Sequence, residues 1–137
     1  MDTFKIINPQ QWPQPRGYNN GLLTITEGRL LFVAGQIGWD SRKHLDEKFC
    51  RQFERALENV LTVVRDAGGS AENIARLTIF VTDKQEYLQQ LKEVGAAYKR
   101  LMGKHFPAMS LLEVKSLLEP NAKVEIEATA VIPYGKS

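Results

Sequence analysis

Three observations predict an α+β fold, a single mixed six-stranded sheet with two helices packed on one face. Six segments alternate in character or run apolar as strands do, two longer ones carry apolar residues at helical spacing, and their order is β, ββ, α, β, α, ββ. No repeat, low-complexity tract or linker interrupts that order, so residues 1–137 are expected to form one domain.

Asp2 to Ile7 opens the chain as a short strand, with Phe4 and Ile6 on one side and Ile7 on the other. The stretch after it holds Pro9, Pro13, Pro15, Gly17 and Gly21, which keep the backbone extended or turned. Its Trp12, Arg16 and Tyr18 read equally as the wall of a pocket or as aromatic cover for the core. Leu22–Thr26 and Arg29–Ala34 flank Glu27-Gly28 and read as a β-hairpin, with Gly28 at positive φ. Gly35-Gln36-Ile37-Gly38 follows, and glycines at a strand end permit close approach of a ligand or another strand.

Phe49, Phe53, Ala56, Leu57, Val60, Leu61 and Val64 share one helical stripe that Gly68-Gly69 ends. Cys50 lies beside the stripe and reads as a packed small residue. Ala75–Thr82 alternates as a strand, Asp83 with Glu86 forms a helix start, and Tyr87, Leu91, Val94, Tyr98 and Leu101 make a second stripe ending at Gly103. Pro107 forbids helix continuation, so Lys104–Val114 is extended. Lys123–Val131 is the last strand, reached through a turn at Pro120-Asn121. Leu31, Val33, Phe80 and Val131 lie opposite the better-buried set of their strands. Two helices cover one sheet face only, so another subunit is expected over the second.

Composition narrows the function. At 43% apolar, 25% charged and net charge +2, with scattered charges, the chain lacks the basic face of a nucleic-acid binder. No apolar run approaches the ~20 residues of a membrane-spanning helix, and cytoplasm is the expected setting. The single Cys50 excludes an internal disulfide. His44 and His105 are the only histidines and have no ligand-spaced partners, so no metal site is expected, and no nucleotide-cradling loop or cofactor fingerprint occurs. Glu125 and Glu127 share one face of the last strand. A partly buried carboxylate there positions water or takes a proton; an exposed pair does neither, and spacing leaves both open.

Taken together, Gly17-Tyr18 with Gly21, Ala34-Gly35-Gln36-Ile37, Gln52 to Asn59, Leu77 to Asp83, Phe106-Pro107-Ala108 and Val124 to Ala128 form an ordered set. In that set the chain resembles the RidA/YjgF/YER057c/UK114 family of enamine and imine deaminases from about residue 16 to 132. The resemblance implies a chorismate-mutase-like fold and a homotrimer with pockets at subunit interfaces. It also implies cofactor-free hydrolysis of small 2-imino or 2-enamino acids to keto acids and ammonia. Family names that refer to ribonuclease or translation inhibition find no counterpart here, neither a histidine pair nor a basic stripe.

The resemblance also assigns roles. Glu125 positions or activates water, Tyr18 contacts the substrate, and the Gly35 backbone borders it. Active members carry an arginine directly after the Pro-Ala pair, whose fork clamps the substrate carboxylate through two parallel hydrogen bonds. Met109 stands at that position, and Leu111 stands where many active members have cysteine. The carboxylate anchor is therefore missing, with Arg16 the candidate substitute. Two readings follow: a hydrolase or deaminase on a small imine, enamine or carbonyl metabolite, and a trimer that binds a small neutral or apolar metabolite without turnover.

Overall fold

The computed structural model describes residues 2–135. Strands and helices follow one another as β1 Phe4–Ile7, β2 Gly21–Thr24, β3 Gly28–Ile37, α1 Phe49–Asp66, β4 Ile74–Val81, α2 Lys84–Gln89, α3 Leu91–Met102, β5 Ala108–Glu113 and β6 Val124–Pro133. A 3₁₀ turn at Ala71–Asn73 joins α1 to β4. The α+β class and the mixed sheet hold: β4 and β5 are parallel, and the other pairings are antiparallel.

The single six-stranded sheet does not form. The structure has a four-stranded sheet in the order β3-β6-β4-β5 and a separate two-stranded ribbon, β1-β2. The expected hairpin between β2 and β3 is therefore absent. Competition for partners explains this, since β3 pairs along nearly all of β6, from Gly28 opposite Pro133 to Ile37 opposite Glu125, a longer ladder than the four residues of β2 offer. Gly28 serves close approach rather than positive φ, for a Cβ there would meet the Ile132 carbonyl oxygen at 2.6 Å.

Helix α1 forms as its stripe demands. Phe49, Phe53, Ala56, Leu57, Val60, Leu61 and Val64 are all at most 2% exposed, and each large side chain so buried contributes roughly 1.5–3 kcal/mol. Gly68, at φ 91°, and the Gly69 N–H, which donates to the Val64 carbonyl at 2.9 Å, close it.

The expected second helix is broken into α2 and α3 at Gln90, whose backbone leaves helical geometry (φ −113°, ψ 21°). Its side-chain oxygen accepts from the Cys50 N–H at 2.9 Å, satisfying an amide in the first turn of α1 that has no partner within its own helix. The break re-aims the stripe, so Val94, Ala97, Tyr98 and Met102 are buried while Leu91 is exposed. Asp83 caps α2 as expected, accepting from the Gln85 and Glu86 N–H groups.

The helices cover one face of the four-stranded sheet, and on β4 and β6 the alternation holds. Leu77, Ile79, Val81, Val124, Ile126, Ala128, Ala130 and Ile132 point into the core. On β3 the expected assignment is reversed. Leu31 and Val33 stand opposite Ala130 and Ala128 on the helix face, whereas Leu30 and Phe32 point the other way, Phe32 being 74% exposed. Leu30-Leu31-Phe32-Val33 is apolar at every position, so period-two patterning could not choose between faces.

Candidate functional site

The site must be sought on the open sheet face and at the free edge of β5. Glu125 lies on the open face, opposite Phe80 of β4 and Ile37 of β3. Just before Ile37 the register of β3 shifts between Val33 and Gln36, an irregularity that takes in Gly35 and re-aims the backbone toward Glu125. A Cβ on Gly35 would overlap the Glu125 carboxylate, with the carboxyl carbon only 2.7 Å away. Gly35 thus leaves the space that the acid group occupies. Glu125 is half-buried and forms no ion pair with any described residue. Such a carboxylate retains its acceptor capacity for water or a ligand.

Glu127 shares this face, opposite Thr78, and is exposed. With Phe32, Arg76, Thr78 and Thr129 it lines a depression of about 260 Å³.

The expected site residues of β5 look the other way. Met109 and Leu111 stand opposite the buried Leu77 and Ile79, half-buried, and pack against the rim of the core. Within one chain, therefore, Glu125 and Gly35 occupy one sheet face while Met109 and Leu111 occupy the other. Strand β5 is an edge strand, however, so its side chains border whatever meets that edge.

Tyr18 sits beside the start of β5, two residues after Arg16. The neighbouring Asn19 forms an isolated parallel bridge to Ala108. Its backbone N–H donates to the Pro107 carbonyl at 3.2 Å, and its side-chain amide donates to the Phe106 carbonyl at 2.7 Å. Asn8 completes the clamp, donating to the Asn19 side chain at 2.9 Å and accepting from the Asn20 N–H at 2.8 Å. Tyr18 is 41% exposed, and Arg16 is exposed and forms no ion pair among the described residues.

Sequence reasoning passed over this asparagine clamp. Its only signal was the pairing of Asn8 before Pro9 with Asn19-Asn20 at the far end of a proline-rich stretch.

Tyr98 anchors the entrance to β5 from below. Its hydroxyl donates to the His105 carbonyl at 2.7 Å, and its ring stacks on Phe106 with centroids 5.4 Å apart. Burial pushes the Tyr98 phenol well above its ordinary range. His105 is fixed too, with Nε2 at 2.8 Å from the Ile74 carbonyl and its ring stacked on Phe4. Both groups serve to set the course of Phe106-Pro107-Ala108.

A wider groove of about 630 Å³ lies elsewhere, between α1 and the loop from Gly38 to Asp46, and contains none of the residues expected at the site. Asp40 on its wall accepts from the backbone N–H groups of His44 and Arg42, which holds its carboxyl below the usual carboxylate range. Its charge is committed to its own loop. Among the described residues no three His, Cys, Asp or Glu side chains come close enough to hold a metal ion, and no helix is long and apolar enough to cross a membrane.

Comparison with known proteins bears on this geometry. The family model described as endoribonuclease L-PSP matches residues 13–132. The 2-iminobutanoate/2-iminopropanoate deaminase of Salmonella typhimurium is 35% identical over 108 residues, covering 76% of this chain and 80% of its own. Among solved structures, a Rid-family protein of unknown function, YyfB from Yersinia pestis, superposes with a TM-score of 0.81 at 27% identity, over 94% of this chain and 98% of its own. TdcF of Escherichia coli, solved with bound serine, superposes with a TM-score of 0.65 at 31% identity, over 93% of this chain and 98% of its own.

Proposed function

This chain belongs to the RidA/YjgF family, and from that premise we propose that it is a homotrimer with small-molecule pockets between its subunits, a cofactor-free hydrolase of the imine or enamine deaminase type. The observation that carries the reading is the fit of the Glu125 carboxylate against Gly35, on the sheet face that the helices leave uncovered. The exposed Leu30, Phe32 and Leu112 on that face support its burial by another copy. So does the division of the expected site residues. Association that sets the β5 edge of one chain beside the open face of the next would bring Tyr18, Met109 and Leu111 to Glu125 and Gly35.

In that pocket Glu125 accepts a proton from water as the water oxygen bonds to the imine carbon. That proton passes to the nitrogen to give a carbinolamine; a second proton then moves from its hydroxyl by way of Glu125 to the nitrogen, the C–N bond breaks, and a carbonyl compound and ammonia leave. The substrate class differs from that of an arginine-bearing deaminase. Met109 donates no hydrogen bond, and each charge-assisted bond forgone removes roughly 1.5–3 kcal/mol of binding to a carboxylate. Together with Leu111 it favours a small neutral or apolar imine, enamine or carbonyl compound. The same apolar pair supports a second reading, a trimer that binds such a metabolite without turnover. A cytoplasmic setting belongs to the proposal, since the lone Cys50 suits a reducing compartment.

The two histidines offer a ribonuclease reading no catalytic pair, although the matching family model carries that description. His44 is an exposed loop residue, and His105 is held between Phe4 and the Ile74 carbonyl.

A coupled assay of imine hydrolysis tests the proposal, run with 2-iminobutyrate and with uncharged imines of similar size. Turnover of an uncharged imine is expected, reduced at least about a hundredfold by Glu125→Gln, with 2-iminobutyrate a poor substrate. Tight ligand binding without turnover selects the second reading. Fast 2-iminobutyrate hydrolysis that Arg16→Ala abolishes would instead make Arg16 the carboxylate anchor.

A further inference from the structure

We infer that Arg76 and Glu127 form ion pairs between neighbouring copies, Arg76 of each chain meeting Glu127 of the next, and that this pairing sets the register in which the open sheet faces associate. The inference rests on the trimer proposed above and adds what orients one copy on another.

Along Leu30, Phe32, Phe80 and Leu112 the open face is apolar, and apolar contact alone is non-directional. Besides the half-buried Glu125, two charged side chains project from the same face. Arg76 on β4 stands opposite Thr129, and Glu127 on β6 stands opposite Thr78, which makes the two diagonal neighbours. Their opposite charges do not meet within the chain. The ion pairs among the described residues are Asp40 with His44, Glu58 with Arg65, Glu54 with Arg100 and Glu86 with Lys123; neither Arg76 nor Glu127 takes part.

Both side chains are exposed and line the depression of about 260 Å³ beside Phe32. In an isolated chain water solvates them. A second copy laid over Leu30 and Phe32 excludes that water, and a charge so covered is strongly unfavourable unless an opposite charge meets it. With one charge of each sign per copy, Arg76 of one chain can meet Glu127 of the next at every contact of a head-to-tail ring. An arrangement that set Arg76 on Arg76, or Glu127 on Glu127, would be repelled.

The test is sedimentation velocity on the wild-type chain, on Arg76→Glu, on Glu127→Arg, on the double exchange, and on an equimolar mixture of the two single variants. Circular dichroism checks that each variant is folded. Each single variant places like charges at every contact and is expected to dissociate at a concentration at least about tenfold higher than wild type. The double exchange should recover wild-type behaviour to within about threefold. The mixture should assemble more tightly than either variant alone yet less tightly than wild type, because opposite charges meet at the two contacts between unlike chains while a ring of three keeps one contact between like chains.

Single variants that assemble as wild type does overturn the inference while the trimer stands. So does a mixture that behaves as the sum of its parts, since the pairing would then lie within one chain. A monomeric wild type overturns the trimer and the inference together. Should charge reversal unfold either chain, Arg76→Gln and Glu127→Gln take its place: weakened assembly in both supports the pairing, and unchanged assembly refutes it.

Discussion

Met109→Arg tests the reading of the pocket at its first residue. The side chain at 109 lies half-buried at the rim of the core, opposite Leu77, on the edge strand β5. An arginine stem follows the same apolar rim while its guanidinium extends past the strand edge into water or into a pocket between copies. The fork would then offer a carboxylate two charge-assisted hydrogen bonds, together a few kcal/mol before desolvation and side-chain ordering are subtracted. A net gain of about 1.4 kcal/mol is tenfold in affinity. Calorimetry with 2-oxobutyrate and related small keto acids reads that difference directly, and at least tenfold tighter binding is expected. Turnover need not appear, because Leu111 is unchanged. The change costs about 1 kcal/mol of stability, from packing lost at the rim. A folded, trimeric variant with wild-type affinity for every small keto acid would refute the reasoning, since position 109 would then face no ligand.

Gly35→Ala sets a methyl group against the Glu125 carboxylate, and the half-buried acid escapes by changing rotamer. Thermal unfolding should register a loss of only about 1 kcal/mol, while calorimetry registers at least about tenfold weaker ligand binding; unaltered affinity would separate Gly35 from the site. Tyr98 supplies a pH test. Burial raises its phenol, so the folded chain holds a proton that the unfolded chain releases near the ordinary tyrosine value of about 10. The stability it contributes is complete below that value and is lost as pH rises beyond it. Urea unfolding at neutral and alkaline pH should show that loss in wild type and a shallower one in Tyr98→Phe, where half-buried Tyr87, also raised, still contributes. Equal slopes would contradict the assignment.

Several parts of the fold were legible because one physical rule acted alone. The α1 stripe from Phe49 to Val64 had a single apolar face, and β4 alternated cleanly from Arg76 to Val81. Illegible parts were those where two partners competed or a pattern was uniform. Glu27-Gly28 looked like a hairpin turn until the long β6 ladder took β3 away from β2. The break at Gln90 depends on an amide of α1 forty positions earlier in the chain, which no local pattern records. At the site, the shared face of Glu125 and Glu127 followed from their spacing. The contact of Glu125 with Gly35 did not, because it needs both the β3–β6 register and the irregularity at Val33–Gln36. Likewise, that Met109 and Glu125 lie on opposite sheet faces follows only from both strands pairing with β4.

A ligand site completed between copies requires that copies associate, and sedimentation velocity of the wild-type chain at micromolar concentration measures this most directly. The predicted species has three times the 15.5 kDa mass of the chain. A stable 15.5 kDa monomer at that concentration would leave Glu125 and Met109 on separate faces of an isolated sheet, and would contradict the account.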